Sequence, residues 1–254
     1  MADYSHIALE ARRKVLKLIY DAQTSHIGSN FSCIDLLTVI FENFDWSRDQ
    51  FVLSAGWKAA SLYYFLWRHG RISEYDLDSY CKKGSKFIGL TEPIIPDIQI
   101  AGGSMGLGLP GAVGLALAKK LKGEEGTVYC LMSDGEIQTG LTHEAALIAR
   151  FHKLNNLVVF VDNNDLQAMG RVDSILRTKV VNLFEAWRWE VVPIDGHNFL
   201  EIEFSLGDRL KGPRAVIADT EKGRGVSFME GDNIWHYKAP NASEYEQALS
   251  ELHV

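Results

Sequence analysis

Between residues 132 and 145 the chain reads MSDGEIQTGLTHEA, and from 159 to 170 it reads VFVDNNDLQAMG. Asp134-Gly135-Glu136 and Asp162-Asn163-Asn164 each follow directly on an apolar run. Asp134 and Asn164, a carboxylate and an amide, are thus offered at equivalent places in successive units. A hard divalent cation such as Mg²⁺ or Ca²⁺ takes six or more oxygen ligands, a few from protein and the rest from phosphate and water. Asp134, Asn164 and the backbone carbonyl of Leu166 fit that demand. A helix beginning near Leu141 would turn its free N–H groups and positive dipole end toward the same place, which suits a metal-bound phosphate or diphosphate. Asp, Asn and Gly also dominate plain turns, so either motif alone reads first as a turn. The two together, with a helix and a strand between them, point to the metal-diphosphate site.

For these groups to meet, the runs before them must be parallel strands ending on one edge of a sheet, where open α/β folds bind their ligands. Helical spacing runs over residues 5–22 (Ile7, Ala11, Val15, Leu18, Ile19) and again from Cys33 to Phe44, with SHIGSN read as a polar turn between them. Phe51 to Ser54 is a short strand leading into a helix through Ser61, Tyr64 and Leu66. Residues 84–104 read as irregular, Pro110 to Lys122 as a helix closed by Gly123, and Thr127 to Met132 as a strand. A helix at about 141–154 follows, then a strand at Leu157–Val161, a helix near 179–188, strands near Glu190–Pro193 and Ala215–Ala218, and a closing helix from Glu244 to Leu252. This alternation predicts an α/β fold: one doubly wound, mainly parallel sheet with helices on both faces, as a single domain over residues 1–254.

Composition sets the outer limits. The 26 basic against 33 acidic residues leave a net charge of −7, which argues against a nucleic-acid footprint. Cys33, Cys81 and Cys130 are widely spaced and read as reduced thiols, implying a cytoplasmic protein. The opening MADYSHIALEARRKVLKLIYDA is broken by charge, so neither an export signal nor a membrane anchor is expected.

The Asp-Gly motif followed after thirty residues by Asn resembles the thiamine-diphosphate motif of the transketolase family. SHIGSNFSCIDLL, AGGSMGLGLPGAVGLALAKKL and EKGRGVSFME…WH are similar to the family's early His loop, Gly-rich loop and late loop, in the family's order. The resemblance implies the N-terminal, thiamine-diphosphate-binding subunit of a split transketolase, moving a two-carbon ketol unit from a ketose donor to an aldehyde acceptor. It implies Asp134, Asn164 and the Leu166 carbonyl as metal ligands, the Gly135 N–H on the diphosphate, and Gly103 and Met105 at the aminopyrimidine. It implies His26 and His236 as channel histidines near the donor's hydroxyls, where an imidazole suits proton transfer. His197 in DGHN reads as structural, and no role is assigned to His6, His69, His143, His152 or His253.

The departures lie at the substrate end. Ser54-Ala55-Gly56-Trp57 stands where the family commonly has Ser-Lys-Gly-His, and Gly89-Leu90-Thr91 where many members have Gly-His-Pro. Thr139 replaces a common Glu, while Glu144 is retained. Sugar or sugar-phosphate substrates are expected, and the two missing histidines favour an unusual sugar without naming the donor or the acceptor. With the chain ending at Val254, a C-terminal transketolase subunit is expected to supply the Glu that activates the cofactor, in an α2β2 assembly. Two rivals differ in class. One is a noncatalytic assembly subunit. The other is an NAD-dependent oxidoreductase, suggested by the G-x-G-x-x-G spelling of Gly106–Gly111, which has no convincing strand before it.

Overall fold

The computed structural model describes residues 2–207 and 211–253; Met1, residues 208–210 and Val254, which the expected single domain includes, lie outside the described residues. Among the described residues there are seven strands: β1 (Gln50–Leu53), β2 (Val128–Ser133), β3 (Leu157–Asn163), β4 (Leu166–Gln167), β5 (Gly170–Arg171), β6 (Glu190–Asp195) and β7 (Arg214–Asp219). Five of them form one sheet in the order β1-β2-β3-β7-β6 with every pairing parallel, and β4 and β5 make a small antiparallel hairpin. The helices are α1 (Tyr4–Ala22), α2 (Ile27–Ser32), α3 (Ile34–Glu42), α4 (Ala59–Arg68), α5 (Glu74–Asp78), α6 (Gly108–Lys122), α7 (Gly140–Phe151), α8 (Val172–Ile175), α9 (Val180–Ala186), α10 (Phe199–Ser205) and α11 (Ala242–Glu251).

Alternation along the strands separates two cores. Leu131, Phe160, Val216 and Ala218 face a layer with α1, α3 and α4, while Cys130, Met132, Val159, Val161 and Ile217 face α6, α7 and α9. Successive side chains of a strand point to opposite faces, so strands buried on both sides read as unbroken apolar runs, as VVFV does in β3. The doubly wound sheet with helices on both faces is as expected. Gly123 closes α6 in the left-handed region at φ 70°, with its N–H returned to Lys119 and Lys120.

Local pattern fails at SHIGSN, which is not a turn: Ile27–Ser32 is helical, and Cys33 separates it from α3. The polar side chains there are buried rather than solvated. Asn30 donates to the His26 and Trp57 carbonyls and accepts from the Ser61 N–H, so tertiary partners replace the water its spelling implied. Pattern reading also missed α5, α8, α10 and the β4-β5 hairpin, all seven residues or shorter. Residues 79–107 contain no strand, so Gly106–Gly111 does not follow one, as a dinucleotide-binding turn requires.

His197 has a structural place. Its Nδ1 lies 2.7 Å from Asp35 Oδ2, and its Nε2 accepts the Glu221 N–H at 2.8 Å, which fixes the proton on Nδ1. Asp35 also takes both terminal nitrogens of Arg12, at 2.8 and 2.7 Å. Burial alone would raise the Asp35 pKa; the Arg12 guanidinium and the His197 N–H prevail and hold it down to about 2. A depressed carboxylate contributes stability above its ordinary value of 3.8 and loses it as pH falls toward 2, here about 2 kcal/mol. Asp35→Asn should cost about 3 kcal/mol by leaving the Arg12 charge buried and unpaired. Urea unfolding at neutral pH should show that loss, and a scan from pH 4 to 2 should be flatter than for the natural chain.

Candidate active site

β1, β2, β3 and β7 all end on one edge, and a cleft of about 450 Å³ opens beyond them. All eight residues singled out from the sequence line it: His26, Gly103, Met105, Asp134, Gly135, Asn164, Leu166 and His236. Trp57 and Leu90, the departures at the substrate end, line it too.

The floor is built from the turns after β2 and β3. Asp134 is 2% exposed, and its carboxylate accepts the Gly135 N–H at 2.8 Å and the Asp165 N–H at 2.6 Å. The second bond ties the two motifs together across the sheet edge. Burial, and then the negative charge of Asp162, push the Asp134 carboxyl up to about 7. Asn164 Oδ1 accepts the Leu166 N–H at 3.1 Å, folding the turn back so that both residues face the cleft. Asp165 takes the left-handed conformation at φ 56°, which Asp tolerates better than most residues.

Among the described residues no three His, Cys, Asp or Glu side chains gather as a metal cage. A cation held here would take the Asp134 carboxylate, the Asn164 amide oxygen and the Leu166 carbonyl, with further oxygens from its ligand. That donor set suits a hard cation, and a buried carboxylate receiving neutral N–H donors retains acceptor capacity for one. The residues fit the group.

One expectation, the helix N-terminus at the diphosphate, needs correction. The stretch after β2 is a 3-10 turn, Gly135–Gln138, so α7 starts at Gly140, and none of its residues is among those lining the cleft. The 3-10 turn lines the cleft instead, through Gly135 and Gln138. The Gly135 N–H is directed at Asp134 rather than left free. A Cβ on Gly103 would find Leu90 Cδ1 3.6 Å away, so crowding within this chain does not demand that glycine. The tight approach is next to it: a Cβ on Gly56 would stand 2.1 Å from the Gly102 carbonyl oxygen, which fixes the Gly-rich loop against the Trp57 turn.

Sequence reasoning assigned no role to Glu136 within the Asp-Gly motif, and it is fully buried. Its carboxylate accepts from Ser54 Oγ (2.6 Å), the Gly106 N–H (3.0 Å) and the Ser133 N–H (2.9 Å), clamping the ends of β1 and β2 to the Gly-rich loop. Thr139 hydrogen-bonds back to the Glu136 carbonyl, and Glu144 is exposed on α7, away from the cleft.

The other wall carries the histidines. His26 has a left-handed backbone at φ 73°, held by its N–H to the His236 carbonyl at 3.0 Å, and the two rings meet edge to face at 5.0 Å. Lys222, which pattern reading passed over inside EKGRG, donates from Nζ to His236 Nδ1 at 2.9 Å and to Asn233 Oδ1 at 3.1 Å. An ammonium only donates, so Nδ1 accepts and the His236 proton sits on Nε2. Burial, then the Lys222 charge, lower His236 to about 3; burial, then Lys222 and Lys58, lower His26 to about 4. Both rings are therefore neutral at pH 7. Burial and the Lys58 charge bring Lys222 itself down to about 8.

Comparison with known proteins agrees with this architecture. The family model for the thiamine diphosphate binding domain of transketolase matches residues 5–251. One of the named subunits of apulose-4-phosphate transketolase from Phocaeicola vulgatus is 33% identical over 254 residues, covering 95% of this chain and 90% of the relative. The protein of the same name from Actinobacillus succinogenes is 35% identical over 257 residues, covering 95% and 92%. The crystal structure of Campylobacter jejuni transketolase superposes with a TM-score of 0.93 at 28% identity, over 99% of this chain and 43% of that one.

Proposed function

The chain belongs to the transketolase family, and from that premise we propose that it is the diphosphate-binding subunit of a two-subunit, thiamine-diphosphate-dependent transketolase-type enzyme. It moves a two-carbon ketol unit from a ketose donor, a sugar or sugar phosphate, to an aldehyde acceptor. The partner is a C-terminal transketolase subunit that supplies the activating Glu, the assembly is α2β2, and the enzyme works in the cytoplasm. The observation that carries the reading is the meeting of Asp134, Asn164 and Leu166 with His26 and His236 in one cleft at the carboxyl edge of the sheet.

When bound, thiamine diphosphate supplies the carbon nucleophile that takes up the two-carbon unit. This chain's part is to hold and orient. Asp134, Asn164 and the Leu166 carbonyl would hold the Mg²⁺ of the diphosphate, with Gly135 beside them, and Gly103 and Met105 would border the aminopyrimidine. His236, neutral with its proton on Nε2, offers a hydrogen bond to a donor hydroxyl oxygen, and Lys222 fixes that tautomer. His26, neutral and packed edge-on against His236, would exchange a proton with a neighbouring hydroxyl. Trp57 and Leu90 present apolar surface where the family commonly has histidines, so they exclude water and shape the channel without exchanging protons.

The rivals separate in a melting experiment on the chain copurified with its partner. Thiamine diphosphate with Mg²⁺, each at about a hundred times its dissociation constant, should stabilise by roughly 2.7 kcal/mol and raise Tm by several degrees, and NAD should leave it unchanged. A shift with NAD, or none with thiamine diphosphate, would count against the reading. A noncatalytic assembly subunit would show the shift with no ketol transfer on any donor and acceptor pair.

A further inference from the structure

Beneath the metal-ligand turn lies a buried ion pair that none of the roles above uses. Lys58, 1% exposed in its side chain, contacts Asp162 Oδ2, and Asp162 is 0% exposed. Lys58 Nζ also donates to the Ser29 carbonyl at 2.9 Å and lies 3.3 Å from Ser32 Oγ. Asp162 has Ser32 Oγ at 2.6 Å from Oδ2 and Thr220 Oγ1 against Oδ1. All of its oxygens are thus engaged by donors from α2, the Trp57 turn and the end of β7.

Asp162 stands two residues before Asn164, and its carbonyl accepts the Asp134 N–H at 3.3 Å. The cleft floor therefore carries two carboxylates close together, one facing the ligand and one beneath. A diphosphate brings several negative charges of its own, and in a site sheltered from water such charges repel strongly. We propose that Lys58 is a positioning residue of the cofactor site, whose ammonium cancels the Asp162 charge so that a metal-bound diphosphate meets one carboxylate, Asp134, instead of two. Lys58 acts through Asp162. The Ser29 carbonyl on Lys58, and the Ser32 and Thr220 hydroxyls on Asp162, satisfy the remaining polar atoms of this buried ion pair.

The inference rests on the cofactor reading, and one set of variants tests both. Thiamine diphosphate is titrated calorimetrically, at saturating Mg²⁺, into the full chain with its partner, as the natural protein, Lys58→Met, Asp162→Asn, and the two together. The natural protein should bind. Lys58→Met, which strands the Asp162 charge, should bind about tenfold or more weakly. The double variant, with neutral groups at both places, should return to within about threefold of the natural protein. Asp162→Asn alone leaves a cation near the diphosphate and should bind at least as tightly as the natural protein. A merely structural role would instead weaken both single variants, so weaker binding by Asp162→Asn overturns the proposal. It is equally overturned if Lys58→Met binds like the natural protein, or if the double variant stays as weak as Lys58→Met. Should Lys58→Met fail to fold, the proposal is overturned if either Asp162→Asn or the double variant binds more than about threefold more weakly than the natural protein. If the natural protein binds no thiamine diphosphate, the cofactor reading falls and this inference with it.

Discussion

Asp134→Ala is expected to abolish Mg²⁺-dependent binding of thiamine diphosphate, and Asn164→Ala to weaken it by roughly 100-fold or more. Loss of a group that merely supports a metal ligand typically costs 10–100-fold, and both of these are proposed as ligands themselves. The ranking between them follows from charge. Asp134 supplies a carboxylate, 2% exposed and flanked by backbone donors, whereas Asn164 supplies a neutral oxygen that also accepts the Leu166 N–H. Asp134→Ala strands the Gly135 and Asp165 N–H groups, at a cost of about 1–3 kcal/mol for each that stays buried and unsatisfied. Asp134→Asn is therefore the sharper variant, because it keeps an acceptor for the turn and removes the charge. Calorimetry in the presence and absence of Mg²⁺ should show that variant folded, with its metal dependence gone. Unchanged affinity and unchanged metal dependence would mean the cation sits elsewhere.

The chain purified free of any partner should transfer no ketol unit from any donor. The relatives from Phocaeicola vulgatus and Actinobacillus succinogenes are each named as one subunit of their transketolase, and this chain matches 90% and 92% of their lengths. It spans 43% of the single-chain Campylobacter jejuni transketolase. The cleft also leaves large apolar side chains in water, with Met105 48%, Met169 87% and Tyr237 65% exposed. Of the two glutamates after β2, Glu136 is spent on Ser54, Gly106 and Ser133, and Glu144 lies exposed on α7 outside the cleft lining, so neither is free to activate the aminopyrimidine. With mass spectrometry confirming that no partner is carried along, the chain, thiamine diphosphate, Mg²⁺ and a panel of ketoses and aldehydes should give no product. Addition of the partner should then give turnover. Sustained transfer by the chain alone would end the two-subunit reading. Because the cofactor would be bound across the boundary between subunits, saturating thiamine diphosphate should also tighten assembly by mass action.

Much of this protein was legible in one dimension. The strands β2, β3 and β7 are short apolar runs with turn residues after them, and α1, α6 and α7 carry clear helical spacing; these depend on local pattern, which a sequence displays directly. The placing of Asp134 with Asn164 followed from one topological rule, that parallel strands joined by a helix end on the same edge. The elements that escaped were short, and a helix of one or two turns gives a period little length in which to show.

The sequence by itself thus determined the layer order, the cleft edge and the chemical type of the groups facing it. The tertiary structure decided which polar groups are spent on one another and which are left for a ligand. Nothing local marks Ile27–Ser32 as helix, since its Asn30 is satisfied by Trp57 and Ser61 from a distant segment. His26, His197 and His236 are the same residue type in the sequence. Partners separate them: Asp35 and the Glu221 N–H occupy both nitrogens of His197, whereas Lys222 holds one nitrogen of His236, in the cleft wall. Lys58 and Asp162 likewise read as ordinary charges until the fold buries them together. The physical reason is that periodicity is written over neighbouring residues, whereas burial, tautomer and net charge at a site depend on groups that meet only when remote parts of the chain pack.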